Sequence, residues 1–122
     1  MSAGEPALRL TDYLEHMLEA ARLARGYIAG MSQAEFLRDR RTQQAVVLNL
    51  ITLGEAAARI TNEYRTFTDS HPDIPWSKMR GMRNRMAHGY FDINLQIVWD
   101  TVQLSLQDLE VKIQQALSEL ES

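Results

Sequence analysis

Two kinds of side chain in this 122-residue chain are best suited to act on a phosphate: the arginines Arg80, Arg83 and Arg85, and the histidine that follows them, His88. An arginine presents a planar fork of N–H donors that matches two phosphate oxygens. An imidazole titrates near neutrality and can take or give a proton there. Both lie in the stretch Trp76 to Phe91, Trp-Ser-Lys-Met-Arg-Gly-Met-Arg-Asn-Arg-Met-Ala-His-Gly-Tyr-Phe. That stretch holds four of the thirteen Lys and Arg residues (Lys78, Arg80, Arg83, Arg85) and no acid. The chain carries a formal −3, so without those four cations the rest stands at −7. A positive segment on an acidic chain points to a local anionic ligand, not to a general nucleic-acid coat.

Little else in the sequence could do chemistry. His16 sits among acids on a helical stretch and reads as a surface residue, and His71 precedes Pro72 in a turn. His88 ends the basic stretch, where a helix C-terminus also favours a histidine for its charge alone. The chain has no cysteine, which rules out disulfides and thiolate metal sites. No His-x-x-x-His pair occurs, so a metal-dependent hydrolase is not expected, and neither is a cofactor. Gly-rich phosphate loops and Gly-x-Ser-x-Gly are both missing.

The elements that must position Arg83 and His88 follow from apolar spacing. In the basic stretch Met79, Met82, Met86 and Tyr90 recur at 3, 4 and 4 residues, one stripe of a helix. Arg80, Arg83, Asn84, Ala87 and His88 then fan over the neighbouring arc, off the methionine row. Pro75 suits the first turn of this helix, and Gly89 suits its C′ position. A first helix starts at Thr11 or Asp12, with Asp12 and Glu15 as a capping box, and runs through Leu14, Met17, Leu18, Ala21, Ala24 and Ile28 to Gly30 as C′. Ser32 and Glu35 form a second box that opens a short helix. Asp39 caps a long one from about Arg40 to Tyr64.

That long helix carries two apolar rows, Val46, Leu50, Leu53, Ala57, Ile60 and Val47, Ile51, Gly54, Ala58. So wide a stripe needs neighbours on two sides, and the small residues around Gly54 admit one of them closely. Glu55, at the edge, reads as a solvated acid or the partner of a nearby arginine. Arg65 to Pro75 reads as one long connection. Asp92 or Asn94 caps a last helix on Val98, Val102, Leu106, Leu109, Ile113, Leu117 and Leu120. The expectation is a single all-α domain over 1–122, an up-and-down bundle of four main helices and one short one. The N-terminal Met-Ser-Ala-Gly-Glu-Pro has no signal-peptide character and no apolar run is membrane length, so a soluble cytoplasmic protein is expected.

The stretch Arg83-Asn-Arg-Met-Ala-His88-Gly-Tyr90 reads Arg-x4-His-x-Tyr. It is preceded by Ile74-Pro75-Trp76 and followed by Phe91, Asp92 and Val98-Trp99, with Phe36-Leu37-x-Asp39 and Gly54-Glu55-Ala56 upstream. This closely resembles the HepT-like branch of the HEPN superfamily, the toxins paired with minimal nucleotidyltransferase antitoxins in type VII-like systems. The resemblance implies a helical bundle that forms a homodimer and cleaves RNA without a metal. It implies Arg83 and His88 as the catalytic pair, and Asn84 as the polar residue that commonly follows the motif arginine. It implies Tyr90 as the residue that the antitoxin modifies with AMP. Arg80 and Arg85, beside them, are expected as supporting RNA contacts.

Arg83 and His88 stand five residues apart, about 140° around a straight helix. Either the long arginine spans the arc, or Gly89 unwinds the helix end, or the two act across a dimer. Two other readings of the chain remain at this point: a non-catalytic module that binds a nucleotidyltransferase or a nucleotide, and a plain dimerisation bundle.

Overall fold

Apolar residues at helical spacing bury one face of each long element and so set the architecture. The computed structural model describes residues 9–121, with only the backbone of Tyr90, and the N-terminal hexapeptide lies outside that range. Helix α1, Leu10–Tyr27, buries Leu14, Met17, Leu18, Ala21 and Ala24. Its start differs from expectation. Arg9 is the cap residue, and Asp12 is the third helical residue, its carboxylate accepting from Arg9 N at 2.9 Å. An acid three residues into a helix satisfies an end N–H as well as one at the cap does, which is why Asp12 misplaces the boundary. Ile28 caps the other end, and Gly30 takes φ 77, one residue beyond the expected C′ position.

Ser32 and Glu35 exchange their expected bonds and open α2, Gln33–Arg38. Asp39 caps α3, Arg40–Glu63, accepting from Thr42 N at 3.0 Å. The segment read as a connection contains a further helix, α4, Arg65–Ser70. Six residues with one aromatic among polar neighbours are too few to show a period. What holds the turn is tertiary: Phe67 stacks on His71 with ring centroids 4.1 Å apart and meets Trp76 edge-on at 6.1 Å.

Helix α5, Trp76–His88, carries the basic stretch. Pro75 precedes its first residue rather than occupying it. Gly89 is the cap itself, with φ −128, a value open to any residue, so no left-handed turn ends this helix. Trp76 anchors the start by donating from Nε1 to the His71 carbonyl at 3.0 Å. A 3-10 turn, Tyr90–Asp92, follows.

The expected last helix is continuous from Leu95 but not uniform. Helix α6, Leu95–Asp100, passes through a π-turn at Thr101–Ser105 into α7, Leu106–Glu121. Asn94, not Asp92, is the cap, accepting from Gln96 N and Ile97 N. Val98, Val102, Leu106, Leu109, Ile113 and Leu117 are buried as the spacing requires, whereas Leu120 is exposed.

Long-range bonds fix the pairing of these elements. Tyr13 donates to Glu63, which sets the start of α1 beside the end of α3. Arg25 pairs with Glu110 at 2.6 Å and Arg22 bonds Gln114, so α1 and α7 also run antiparallel. Helix α5 lies on the other side of α3. Phe36 of α2 packs on Trp99 of α6 at 5.5 Å, and Gln33 bonds Gln96. The result is an all-α bundle of four long elements, with α2 and α4 as short additions. Leu14, Met17, Leu50, Leu53, Ile60 and Ile113 fill its centre with essentially no exposure. Each such side chain contributes about 1.5–3 kcal/mol relative to an exposed one. Among the described residues no helix is long and apolar enough to cross a membrane.

Candidate active site

Helix α5 presents three different surroundings on its three sides. Trp76, Met79 and Met86 are buried on the side facing the core, and Met82 is half-buried. Arg83 lies on that side too. It is one turn from Met79, and its stem packs against Gly54 of α3. A Cβ at position 54 would come within 2.7 Å of the Met79 carbonyl oxygen and closer still to Arg83 Cβ. The small residue that the spacing offered for a close helix approach is therefore in use, with Arg83 as the neighbour. The expectation that Arg83 stands clear of the buried row is not met, because α3 crosses α5 right over it.

The guanidinium emerges at the edge of this contact. Its side chain is 24% exposed, and Nε lies 3.5 Å from a Glu55 carboxylate oxygen. That oxygen is not aligned as an acceptor, and the buried Arg83 Nε has no hydrogen-bond partner among the described residues. The other Glu55 oxygen is 3.7 Å from Arg59 Nε, and Arg59 reaches Glu63 at 3.9 Å. Glu55 is thus the partner of arginines that the sequence suggested. Its carboxylate sits half-exposed between two of them, where such a pair is worth at most about 1 kcal/mol.

His88 ends α5 on the opposite side and is exposed. It lines a cleft of about 450 Å³ with Arg85, Met82, Asp92, Asn94 and Ile97. The cleft forms because Gly89 stops the helix and the Tyr90–Asp92 turn folds the chain back toward α6. Nothing in the sequence pointed to Asn94 or Ile97 as its wall, since both come from the far side of that turn. Arg83 does not line this cleft. Within one chain, the geometry brings Arg85 beside His88 and leaves Arg83 on the α3 side. Asn84 is exposed between them. Arg80 is half-buried and lines a different cleft, at the start of α5. Tyr90 opens the 3-10 turn two residues past His88; its side chain lies outside the described part of the structure.

His16 is exposed on α1. His71 is held by its Nδ1–H, which donates to the Phe67 carbonyl at 2.9 Å, and by Glu119 at 3.4 Å. His16 is thus on the surface and His71 in the turn before Pro72, as each was read. Among the described residues, no group of three His, Cys, Asp or Glu side chains is placed to hold a metal ion.

Comparison with known proteins gives one consistent family. The family model described as ribonuclease HepT-like matches residues 17–116. A protein of Thermococcus cleftensis named as a probable ribonuclease HepT is 35% identical over 103 residues, 84% of this chain and 91% of that protein. A protein of Caldanaerobacter subterraneus, named provisionally as an RNase, is 31% identical over 86% of this chain and 91% of its own length. One from Methanocaldococcus jannaschii, named likewise, is 36% identical over 76% of this chain and 71% of its own length. No solved structure matches.

Proposed function

From the premise that this chain belongs to the HepT-like ribonuclease family of the HEPN superfamily, we propose that it is a metal-independent RNA endonuclease. In this reading Arg83 and His88 are its catalytic residues, and Arg80, Asn84 and Arg85 hold the strand. The observation that carries the reading is the exposed imidazole of His88 on a cleft beside Arg85, one helix turn and a half from a second arginine held against α3. These are the groups a metal-free cleavage needs.

The reaction follows from those groups. His88 takes the proton of a ribose 2′-OH, and the 2′ oxygen attacks the adjacent phosphorus. The bond to the 5′ oxygen breaks as the new P–O2′ bond forms. The leaving oxygen takes a proton from an acid, and the product ends in a 2′,3′-cyclic phosphate. An arginine stabilises the charge that gathers on the non-bridging oxygens in between. One chain offers a single suitable histidine, so the acid is the same histidine of a second copy brought up by two-fold pairing. The same pairing would bring an Arg83 toward the opposite His88, which answers their separation on one helix.

The toxin reading comes with the family resemblance. A cognate minimal nucleotidyltransferase silences the enzyme by placing AMP on Tyr90. The added phosphodiester competes for the cations that RNA needs, and the adenosine fills the cleft two residues away.

Expression without the partner tests the activity. Wild type is expected to arrest growth and release fragments with cyclic phosphate ends in the presence of EDTA, and His88→Ala to do neither. Equal arrest by His88→Ala would favour a module that acts by binding alone. Strict dependence on a divalent ion would overturn the mechanism. For the silencing step, Tyr90→Phe is expected to stay toxic when the nucleotidyltransferase is present. Full protection of that variant would place the modification elsewhere.

A further inference from the structure

The start of α5 carries a second cleft, well away from His88. It measures about 580 Å³ and lies between α4, the turn at 71–75 and the first residues of α5. Arg65 comes from α4, and Ser77, Lys78 and Arg80 come from α5. None of these three cations has a carboxylate partner among the described residues, whereas Arg22, Arg25, Arg59, Arg83 and Lys112 do. Arg80 is half-buried, and its Nε, like that of Arg83, has no acceptor among the described residues. Three cations that line one cleft without a carboxylate partner favour an anion between them, because charge-assisted hydrogen bonds are the strong ones. Two acids share the cleft, Asp69 and Asp73, leaving one cation in excess. Asp73 is also faced by Lys112, whose ammonium donates to its carbonyl at 2.9 Å.

We infer that this cleft is a phosphate-binding subsite for the same RNA strand, upstream or downstream of the bond that His88 cleaves. The inference rests on the nuclease reading and extends it along α5. Ser77, Gly81, Asn84 and His88 are spaced 4, 3 and 4 residues apart, so they form one line on the outer face of the helix. Ser77, Asn84 and His88 are exposed. Gly81 has no side chain to block the lane; a Cβ there would meet only Arg85 Nη1, at 3.5 Å. From Ser77 to His88 the lane is about 16 Å long at 1.5 Å per residue, room for several nucleotides of an extended strand. The aromatic on this cleft is Trp76, and it is buried with its N–H engaged. Among the described residues the subsite has no stacking platform, so it holds backbone and does not read bases.

The test is equilibrium binding of a single-stranded oligoribonucleotide to the full chain carrying His88→Ala, which removes cleavage, over a range of salt concentrations. Adding Arg65→Ala and Lys78→Ala is expected to weaken binding several-fold. The slope of log affinity against log salt should become shallower by about 0.7 for each phosphate that no longer meets a cation. A dinucleotide, whose one phosphate reaches only the His88 end, should bind equally to both proteins, and their melting temperatures should agree. Unchanged affinity and slope for the long strand would overturn the subsite. So would an equal loss for the dinucleotide. If wild type binds RNA in this way yet never cuts it, the nuclease reading fails and the subsite stands.

Discussion

Gly54 lies directly against Arg83, with no room for even a methyl group between α3 and α5. The contact is backbone against backbone, because the Met79 carbonyl stands 2.7 Å from where a Cβ would be. Gly54→Ala therefore pushes the two helices apart. Alanine gains about 1 kcal/mol in helix propensity, but overpacking costs about 1–3 kcal/mol, so the net change is a lower melting temperature. Cleavage should fall by more than tenfold, since the displaced side chain is that of Arg83. Gly26→Ala in α1 is the control. None of the described residues lies within 4 Å of a Cβ there, and the same substitution should raise stability by up to about 1 kcal/mol. Thermal melts of the two variants should move in opposite directions.

Glu55 is the carboxylate nearest Arg83, at 3.5 Å, and also the one nearest Arg59. Glu55→Gln keeps the shape and removes the charge. Stability should change by less than about 1 kcal/mol, because the carboxylate is half-exposed. The kinetics should split. RNA binding tightens as a negative charge leaves the arginine cluster, so KM falls. The arginine loses its anchor, so kcat falls too. Steady-state kinetics on a short RNA would show this, and a variant with both constants unchanged would remove Glu55 from any positioning role.

Acid should unfold the chain partly through its helix caps. Hydrogen bonds from the Thr42 N–H and hydroxyl hold the Asp39 carboxyl below its ordinary range, and bonds from Ser32 do the same for Glu35. A depressed carboxyl contributes stability that is present above its unfolded pKa and is lost as pH falls through the folded one. Melting temperature should therefore drop below about pH 4. Asp39→Asn keeps a good cap and cannot titrate, so its acid limb should be shallower. At the other end, Lys112 is raised by its bond to Asp108, and Tyr13 by burial and by Glu63. Both favour the protonated form in the fold, so their contribution is lost as pH rises past about 10.

The long elements were legible because their apolar rows are long enough to show a period. Val46 to Ile60 on α3 and Leu14 to Ala24 on α1 need only the 3.6-residue repeat. Capping was legible where the signal is local and complete, as at Ser32 with Glu35. It misled at Asp12, where one acid serves two possible positions. Helix α4 was not legible, because His71 and Trp76 hold its Phe67 from outside its own six residues. The motif named Arg83 and His88 together, but one helix cannot show what each faces. That depends on Gly54 twenty-nine residues earlier and on Asn94 and Ile97 beyond a turn, which are separations no local pattern carries.

Arg83 has a packing role and a chemical role, and two substitutions separate them. Arg83→Ala keeps the Cβ that rests on Gly54 and removes everything beyond it. The missing stem costs about 1 kcal/mol of packing or less, a melting temperature lower by a few degrees. Removing the guanidinium from a charged transition state costs far more, about 10²–10³ in kcat. Arg83→Lys restores the stem and the charge but not the fork, so stability should return to wild type while most of the activity does not. Melts and single-turnover cleavage on the same preparations check both halves. If lysine restores activity in full, the arginine acts as a bulk cation. If alanine unfolds the protein outright, its part is structural, and the chemistry must be assigned to Arg85, the arginine that shares the cleft with His88.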